Sequence, residues 1–178
     1  NILIIGGGII GVSAAYVLAN EGVNVTLLEK GEISSGCSYG NAGYIVPCHS
    51  SPIPAPGVLT QGMKWLLDPE SPFYIKPSLS PDLLRWLWQF QKFCNTDAYW
   101  RAIPIIRDMQ RESQSLFREW IAAEGIEAHF RENGGLTIYK DARAFDSVCK
   151  EAEALRDYDI RFEILDTKAL QTLEPLIR

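Results

Sequence analysis

Gly6-Gly7-Gly8-Ile9-Ile10-Gly11 is the stretch of this 178-residue chain whose residue types best suit a charged ligand. It follows an apolar run, Ile2 to Ile5, and opens an alanine-rich apolar stretch, Val12 to Ala19, that stops at Gly22. A second apolar run, Val23 to Leu28, ends in Glu29 and Lys30. Strand, glycine turn, helix, strand and acid in this order form the βαβ dinucleotide-binding fingerprint. Gly6 permits the tight turn off the first strand, and Gly8, without a Cβ, lets a pyrophosphate approach the backbone. Gly11 lets the helix pack closely on the sheet, while the helix's free N–H groups and positive end face the phosphates. Glu29, roughly 18 residues past Gly11, is placed to accept hydrogen bonds from a ribose diol. An acid there disfavours a 2′-phosphate, so NADP is not expected; the fingerprint alone does not separate NAD from FAD.

The element that follows must bring further groups to the same turn. Ser34-Ser35-Gly36-Cys37-Ser38-Tyr39-Gly40-Asn41-Ala42-Gly43 is small, polar and glycine-dense. Such a segment can thread close to a ligand and offer hydroxyls and backbone N–H groups to phosphate or ring atoms. Ser38, Gly40, Asn41, Ala42 and Gly43 therefore join Gly6, Gly8, Ile9, Ile10, Gly11, Glu29 and Lys30 as candidate cofactor-binding residues.

Composition narrows the partners. A net charge of -5 argues against nucleic acid, and a hydrophobic content of 47% is that of an ordinary globular chain. The four cysteines form no CxxC pair, and with only His49 and His129 available no zinc-site spacing exists. Reduced thiols in a cytoplasm are expected, with no metal. The chain opens directly on a strand pattern, so no signal peptide is expected in it, and no apolar run is long enough to span a bilayer. A doubly wound domain needs more parallel strands than the sequence shows, so the chain is expected to be part of a larger protein.

Prolines dominate residues 44–81, with a short helix expected around Leu59 to Leu67. Asp82 is read as capping a mostly buried helix to about Cys94, rich in Leu83, Leu84, Trp86, Leu87, Trp88, Phe90 and Phe93; an aromatic surface for a membrane or partner is the alternative. Pro104 is read as the first residue of a helix to Glu124, ended by Gly125. Its expected inner face is Ile106, Met109, Leu116, Phe117, Trp120 and Ile121, with Arg107, Asp108, Arg111 and Arg118 on a solvated face. Alternation in Ile126 to Phe130 and Leu136 to Lys140 around Asn133-Gly134-Gly135 predicts a hairpin. A helix from about Ala142 to Asp157, a strand at Arg161 to Leu165 and a helix capped by Asp166 or Thr167 complete the pattern.

With these motifs in view, the chain resembles the FAD-dependent amino-acid oxidoreductases of the D-amino-acid oxidase superfamily, most of all the D-amino-acid dehydrogenase small-subunit type. The resemblance rests on Gly6-x-Gly8-x-x-Gly11, Val25 to Lys30 and Gly40-Asn41-Ala42-Gly43. Ala55-Pro56-Gly57-Val58, Lys64-Trp65 with Trp86 and Trp88, Gly134-Gly135-Leu136 and Leu173-Glu174-Pro175 add to it. It covers essentially the whole chain but only the amino-terminal part of the family's length.

The resemblance implies an α/β fold: an incomplete FAD-binding Rossmann-like βαβ domain (1–45), a proline-rich loop and helical segment (46–125) and the start of an α+β substrate domain (126–178). It implies FAD with its pyrophosphate on Gly6 to Gly11 and its ribose on Glu29, and Ser38 to Gly43 on the pyrophosphate and flavin side. It also implies oxidative deamination of D-amino acids by hydride transfer from Cα to flavin N5, giving a 2-oxo acid and ammonia. The arginine for the substrate carboxylate is expected in a later part of the family's length, and neither Arg131 nor Arg143 is assigned to it. Quinone or oxygen would be the electron acceptor; with quinone, the aromatic stretch Trp65 to Trp100 is a candidate peripheral contact at the inner face of the membrane. An isolated piece with half a cofactor site is not expected to bind FAD tightly or turn over. The alternatives are a relative oxidising glycine, sarcosine, an opine or a 2-hydroxy acid, a nicotinamide-dependent dehydrogenase, and a non-catalytic nucleotide-binding module.

Overall fold

The structure is a computed structural model and describes residues 1–59, 62 and 80–177. The chain divides into two units, Asn1–Ile45 and Val46–Arg178.

In the first unit, β1 (Ile2–Ile5) and β2 (Val25–Leu28) pair in parallel with Ile2 opposite Val25 and Ile5 opposite Leu28. Helix α1 (Ile9–Asn20) connects them, as parallel strands require a crossover. The end of β1 is tied to the end of β2 by the Gly6 N–H donating to the Leu28 carbonyl at 2.8 Å. Gly22, in the left-handed region at φ 77°, turns the chain out of α1 and toward β2. None of α1 is buried, and Ile5 and Ile10 are more than four-fifths exposed.

The second unit is helical among the described residues. Helix α2 spans Pro81–Phe93, α3 Thr96–Glu124, α4 Ala142–Leu155 and α5 Thr167–Leu173, with a single 3₁₀ turn at Arg156–Tyr158. Its core is small: Tyr99 and Ile103 from α3, Leu155 from α4, and Ile160. Cys48, Ala55, Trp100, Tyr158 and Phe162 pack around it. The Trp100 and Tyr158 rings stack at 5.3 Å.

Several expectations change here. The short helix at Leu59 to Leu67, Lys64-Trp65, and Pro69, Pro72 and Pro77 fall largely or wholly outside the described residues. Ser80, not Asp82, is the N-cap of α2; Pro81 takes the first helical position, and Asp82 sits in the first turn, where its charge favours the helix dipole. No residue of α2 is buried, and Leu84, Trp86, Trp88 and Phe93 are exposed, so the expected burial of this helix is not found. Trp86 stacks on Phe90 and Lys92 lies over Trp88 at 3.3 Å, so the aromatics satisfy one another along the helix instead.

Pro104 lies inside α3 rather than at its start. Asn95 caps the helix by accepting from the Ala98 N–H at 2.9 Å, which starts it two turns earlier. Met109, expected inward, is exposed, and Tyr99 and Ile103 bury instead. Arg107 and Arg111 are not merely solvated. Arg107 donates to the Tyr158 carbonyl, and Arg111 bridges the Asp159 carboxylate at 3.0 Å and carbonyl at 2.5 Å.

The hairpin at 126–140 and the strand at 161–165 do not form; both segments run without ladder partners among the described residues. His129 adopts φ 49°, which breaks the extended conformation in mid-strand, and Glu132 is drawn onto α3 by Arg118 and Gln114. The α+β character expected of 126–178 is therefore helix plus irregular chain.

Candidate functional site

The glycine turn is gripped by the segment that follows β2. The Glu29 carboxylate accepts the Gly7 N–H at 2.7 Å through one oxygen and the Gly31 N–H at 3.0 Å through the other. These N–H groups, Gly7's first, hold the Glu29 carboxyl below its ordinary range. Ser34 donates its N–H to the Gly7 carbonyl at 2.9 Å. Ser38 Oγ accepts the Ile9 N–H at 2.8 Å, at the first residue of α1.

The glycines have separate reasons to be glycines. Gly6 sits at φ 106°, which disfavours any side chain. A Cβ on Gly11 would lie 1.9 Å from the Gly6 carbonyl oxygen, so α1 can pack on β1 only without one. A Cβ on Gly8 would crowd Ser38 Oγ at 3.2 Å. Gly7 was not singled out by the sequence, yet a Cβ there would meet Ile33 Cδ1 at 2.5 Å. Ser34, at φ 63°, was also missed. The middle glycine of the triplet was the available signal for the first; the second has none.

The loop 36–43 is organised by its own asparagine. Asn41 Nδ2 donates to the Ser38 carbonyl at 2.7 Å and the Cys37 carbonyl at 3.3 Å, and its Oδ1 accepts the Gly43 N–H at 2.6 Å. Gly40 closes a turn onto the Gly36 carbonyl at 3.2 Å, and Gly43 takes φ 66°. The structure thus brings Gly6, Gly8, Ile9, Gly11, Glu29 and Ser38 to one turn. Ile10 and Lys30 are exposed beside it, and Gly40, Asn41, Ala42 and Gly43 form the adjoining loop.

Chemically, the arrangement presents a helix start whose own N-cap, Gly8, brings no side chain to it. A carboxylate with spare lone pairs and a serine hydroxyl stand beside it. Such a turn can take an anion at the helix start and a diol at the acid. Among the described residues, no group of three or more His, Cys, Asp or Glu side chains could hold a metal ion. No described helix is long and apolar enough to cross a membrane.

A glycine turn between two parallel strands joined by a helix is the arrangement of the βαβ dinucleotide-binding fingerprint. The family model described as FAD dependent oxidoreductase (DAO) matches residues 1–178, and the chain belongs to that family. Its curated relatives include a D-amino acid dehydrogenase of Methylobacterium nodulans, 34% identical over 99% of this chain and 42% of the relative. A D-amino acid dehydrogenase of Methylobacterium sp. (strain 4-46) is 32% identical over the same shares. D-amino acid dehydrogenase 1 of Mesorhizobium japonicum is 32% identical, again over 99% of this chain and 42% of the relative. The chain therefore spans about two-fifths of the length of these relatives. No solved structure matches it.

Proposed function

We propose that the chain carries the cofactor-binding turn of a D-amino-acid dehydrogenase, which converts D-amino acids to 2-oxo acids and ammonia in amino-acid catabolism. The observation that carries the cofactor part is the α1 start. It has no side-chain cap of its own, stands against a Cβ-free Gly8 and Gly11, and has Glu29 at the adjacent strand end. The substrate class is supported by the relatives' names at 32 to 34% identity. Bound FAD supplies a hydride acceptor, N5, for the substrate Cα–H bond, and hydrolysis of the resulting imine gives the oxo acid.

The chain's own residues bind and orient. The N–H groups at Ile10 and Gly11 face the pyrophosphate, while the Ile9 N–H is held by Ser38 Oγ, which carries that part of the helix start to the ligand. Glu29 spends one lone pair on each of two backbone donors and keeps others for ribose hydroxyls. Ser38 accepts from Ile9 and keeps its proton for a phosphate oxygen. Asn41 fixes the loop that carries Gly40, Ala42 and Gly43 toward the flavin side, with Lys30 at its entry. In this reading 1–45 is the FAD-binding segment, 46–125 a proline-rich and helical segment, and 126–178 the start of the substrate domain.

Electrons leave to quinone or oxygen, in the cytoplasm. With quinone, the exposed Trp86 and Trp88 touch the inner face of the membrane peripherally. A full-length Trp86→Ser/Trp88→Ser variant that keeps its flavin and still sediments with membranes refutes that contact.

The test is anaerobic titration of the full-length protein with D- and L-amino acids. Bleaching of a flavin spectrum by D-amino acids alone is the expected result. A flavin that no amino acid bleaches moves the substrate to another class, and a colourless protein that takes up no FAD refutes the proposal.

A further inference from the structure

Residues 47–51 lie along α3 and α4 as a strap, pinned through two consecutive serines. The inner pin is Ser50. It is fully buried, with Oγ 2.9 Å from Gln110 Oε1 and 3.1 Å from the Pro47 carbonyl. Gln110 Nε2 returns a bond to the His49 carbonyl at 2.8 Å. The outer pin is Ser51, which is exposed and donates to Glu151 Oε1 at 2.8 Å. The same oxygen accepts the buried Tyr99 hydroxyl at 2.5 Å. Glu151 on α4 thus joins the strap to α3 through one carboxylate oxygen, and the Ser51 hydroxyl also lies in hydrogen-bond contact with that of Tyr99.

The two pins differ in what opening them leaves behind. Pulling Ser50 away breaks its bond to Gln110 and the Gln110 bond to the His49 carbonyl together, and draws a fully buried side chain out of its packing. Pulling Ser51 away leaves a hydroxyl that water satisfies at once. Cys48 belongs to the strap and packs its side chain on the Tyr99–Ile103–Leu155–Ile160 cluster, and burial pushes its thiol up from the ordinary pKa.

We propose that Glu151 is a latch: its bridge to Ser51 and Tyr99 holds the strap, and with it the Cys48 side chain, down on the buried cluster, and the strap opens from this outer side first. Glu151 acts through the strap as a positioning residue. The latch is independent of the D-amino-acid reading, since every contact in it lies within the second unit.

Two readouts test it in the full-length protein: alkylation of Cys48 by iodoacetamide, followed on its own peptide by mass spectrometry, and hydrogen exchange of the His49 amide, which bonds the Val46 carbonyl at 3.1 Å. Glu151→Ala and Ser51→Ala are expected to speed both by about tenfold, the value of one hydrogen bond to a charged group. Glu151→Gln, whose amide oxygen still accepts both hydroxyls, is expected to restore slow rates. Ser51→Ala, at an exposed position, guards against misfolding of the Glu151 variants. Wild-type rates in Ser51→Ala and Glu151→Ala overturn the latch. So does a Glu151→Gln protein as fast as Glu151→Ala.

Discussion

Helix α1 begins at Gly8 with no side-chain cap and no acid in its first turn, whereas α3, α4 and α5 begin at Asn95, Asp141 and Asp166. Each of those three side chains accepts the N–H three residues on, at 2.8 to 2.9 Å. The help α1 receives comes from Ser38, 29 residues away in sequence. Local caps finish a helix for its own sake. A helix start left bare by its neighbours and approached by a distant hydroxyl is suited to an outside anion. The packing contrast runs the other way. Among the described residues the second unit holds the buried apolar core, while the first buries Gly7 and leaves no residue of α1 or β1 fully buried. The buried apolar core and the glycine turn thus lie in different units of the described chain.

Substitutions in the full-length protein can break this contrast, beginning with the largest effect. Ile103→Ala, at a fully buried site, is expected to cost about 2–5 kcal/mol in denaturant unfolding while flavin per polypeptide stays near wild type. Gly11→Ala forces a Cβ against the Gly6 carbonyl. About 1–3 kcal/mol is expected from overpacking, together with loss of bound flavin measured by visible absorbance. Asn95→Ala and Asp141→Ala should each cost about 1 kcal/mol and leave flavin affinity unchanged. A drop in flavin affinity from either cap variant would erase the distinction between the two kinds of helix start.

The two units also respond to pH with opposite sign. Burial, with help from the Glu151 carboxylate, pushes the Tyr99 hydroxyl up to about 12. The unfolded chain releases that proton near 10, so between about 10 and 12 the folded state binds more protons than the unfolded one. Stability is expected to fall across that window, and Tyr99→Phe is expected to flatten this part of the profile in thermal melts. Glu29 has the opposite sign. Its carboxyl is lowered by the Gly7 and Gly31 N–H groups, so its contribution is present above the ordinary carboxylate range and is lost as pH falls through the lowered value. Glu29→Gln should remove that acid-side dependence.

The first unit was far more legible in sequence than the second, because its pattern is set by backbone geometry. Gly6 needs a positive φ, Gly11 needs no Cβ, and the two apolar runs pair in register, so residue types alone mark the turn. Gly7 and Ser34 escaped because their roles depend on where Ile33 and Glu29 return in space. In the second unit, Asp166 and the α4 helix were readable from local caps and periodicity. The α3 start was not, because Pro104 imitates a helix beginning and the capping Asn95 stands eight residues before Ile103 on an aromatic run. Alternation in 126–140 predicted strands, but alternation states only which face a strand would bury. It supplies no partner, and His129 turns the chain where a ladder would have continued. Apolar content predicted burial of α2, whereas its rings stack along their own helix.

In the proposed function the α1 start and Glu29 together hold the adenosine diphosphate end of the cofactor. Titration of the deflavinated full-length protein with FAD in competition with ADP tests it most directly. ADP is expected to displace FAD, and Glu29→Ala to weaken ADP and FAD by the same factor. FAD binding that ADP does not disturb and Glu29→Ala does not weaken would contradict the account.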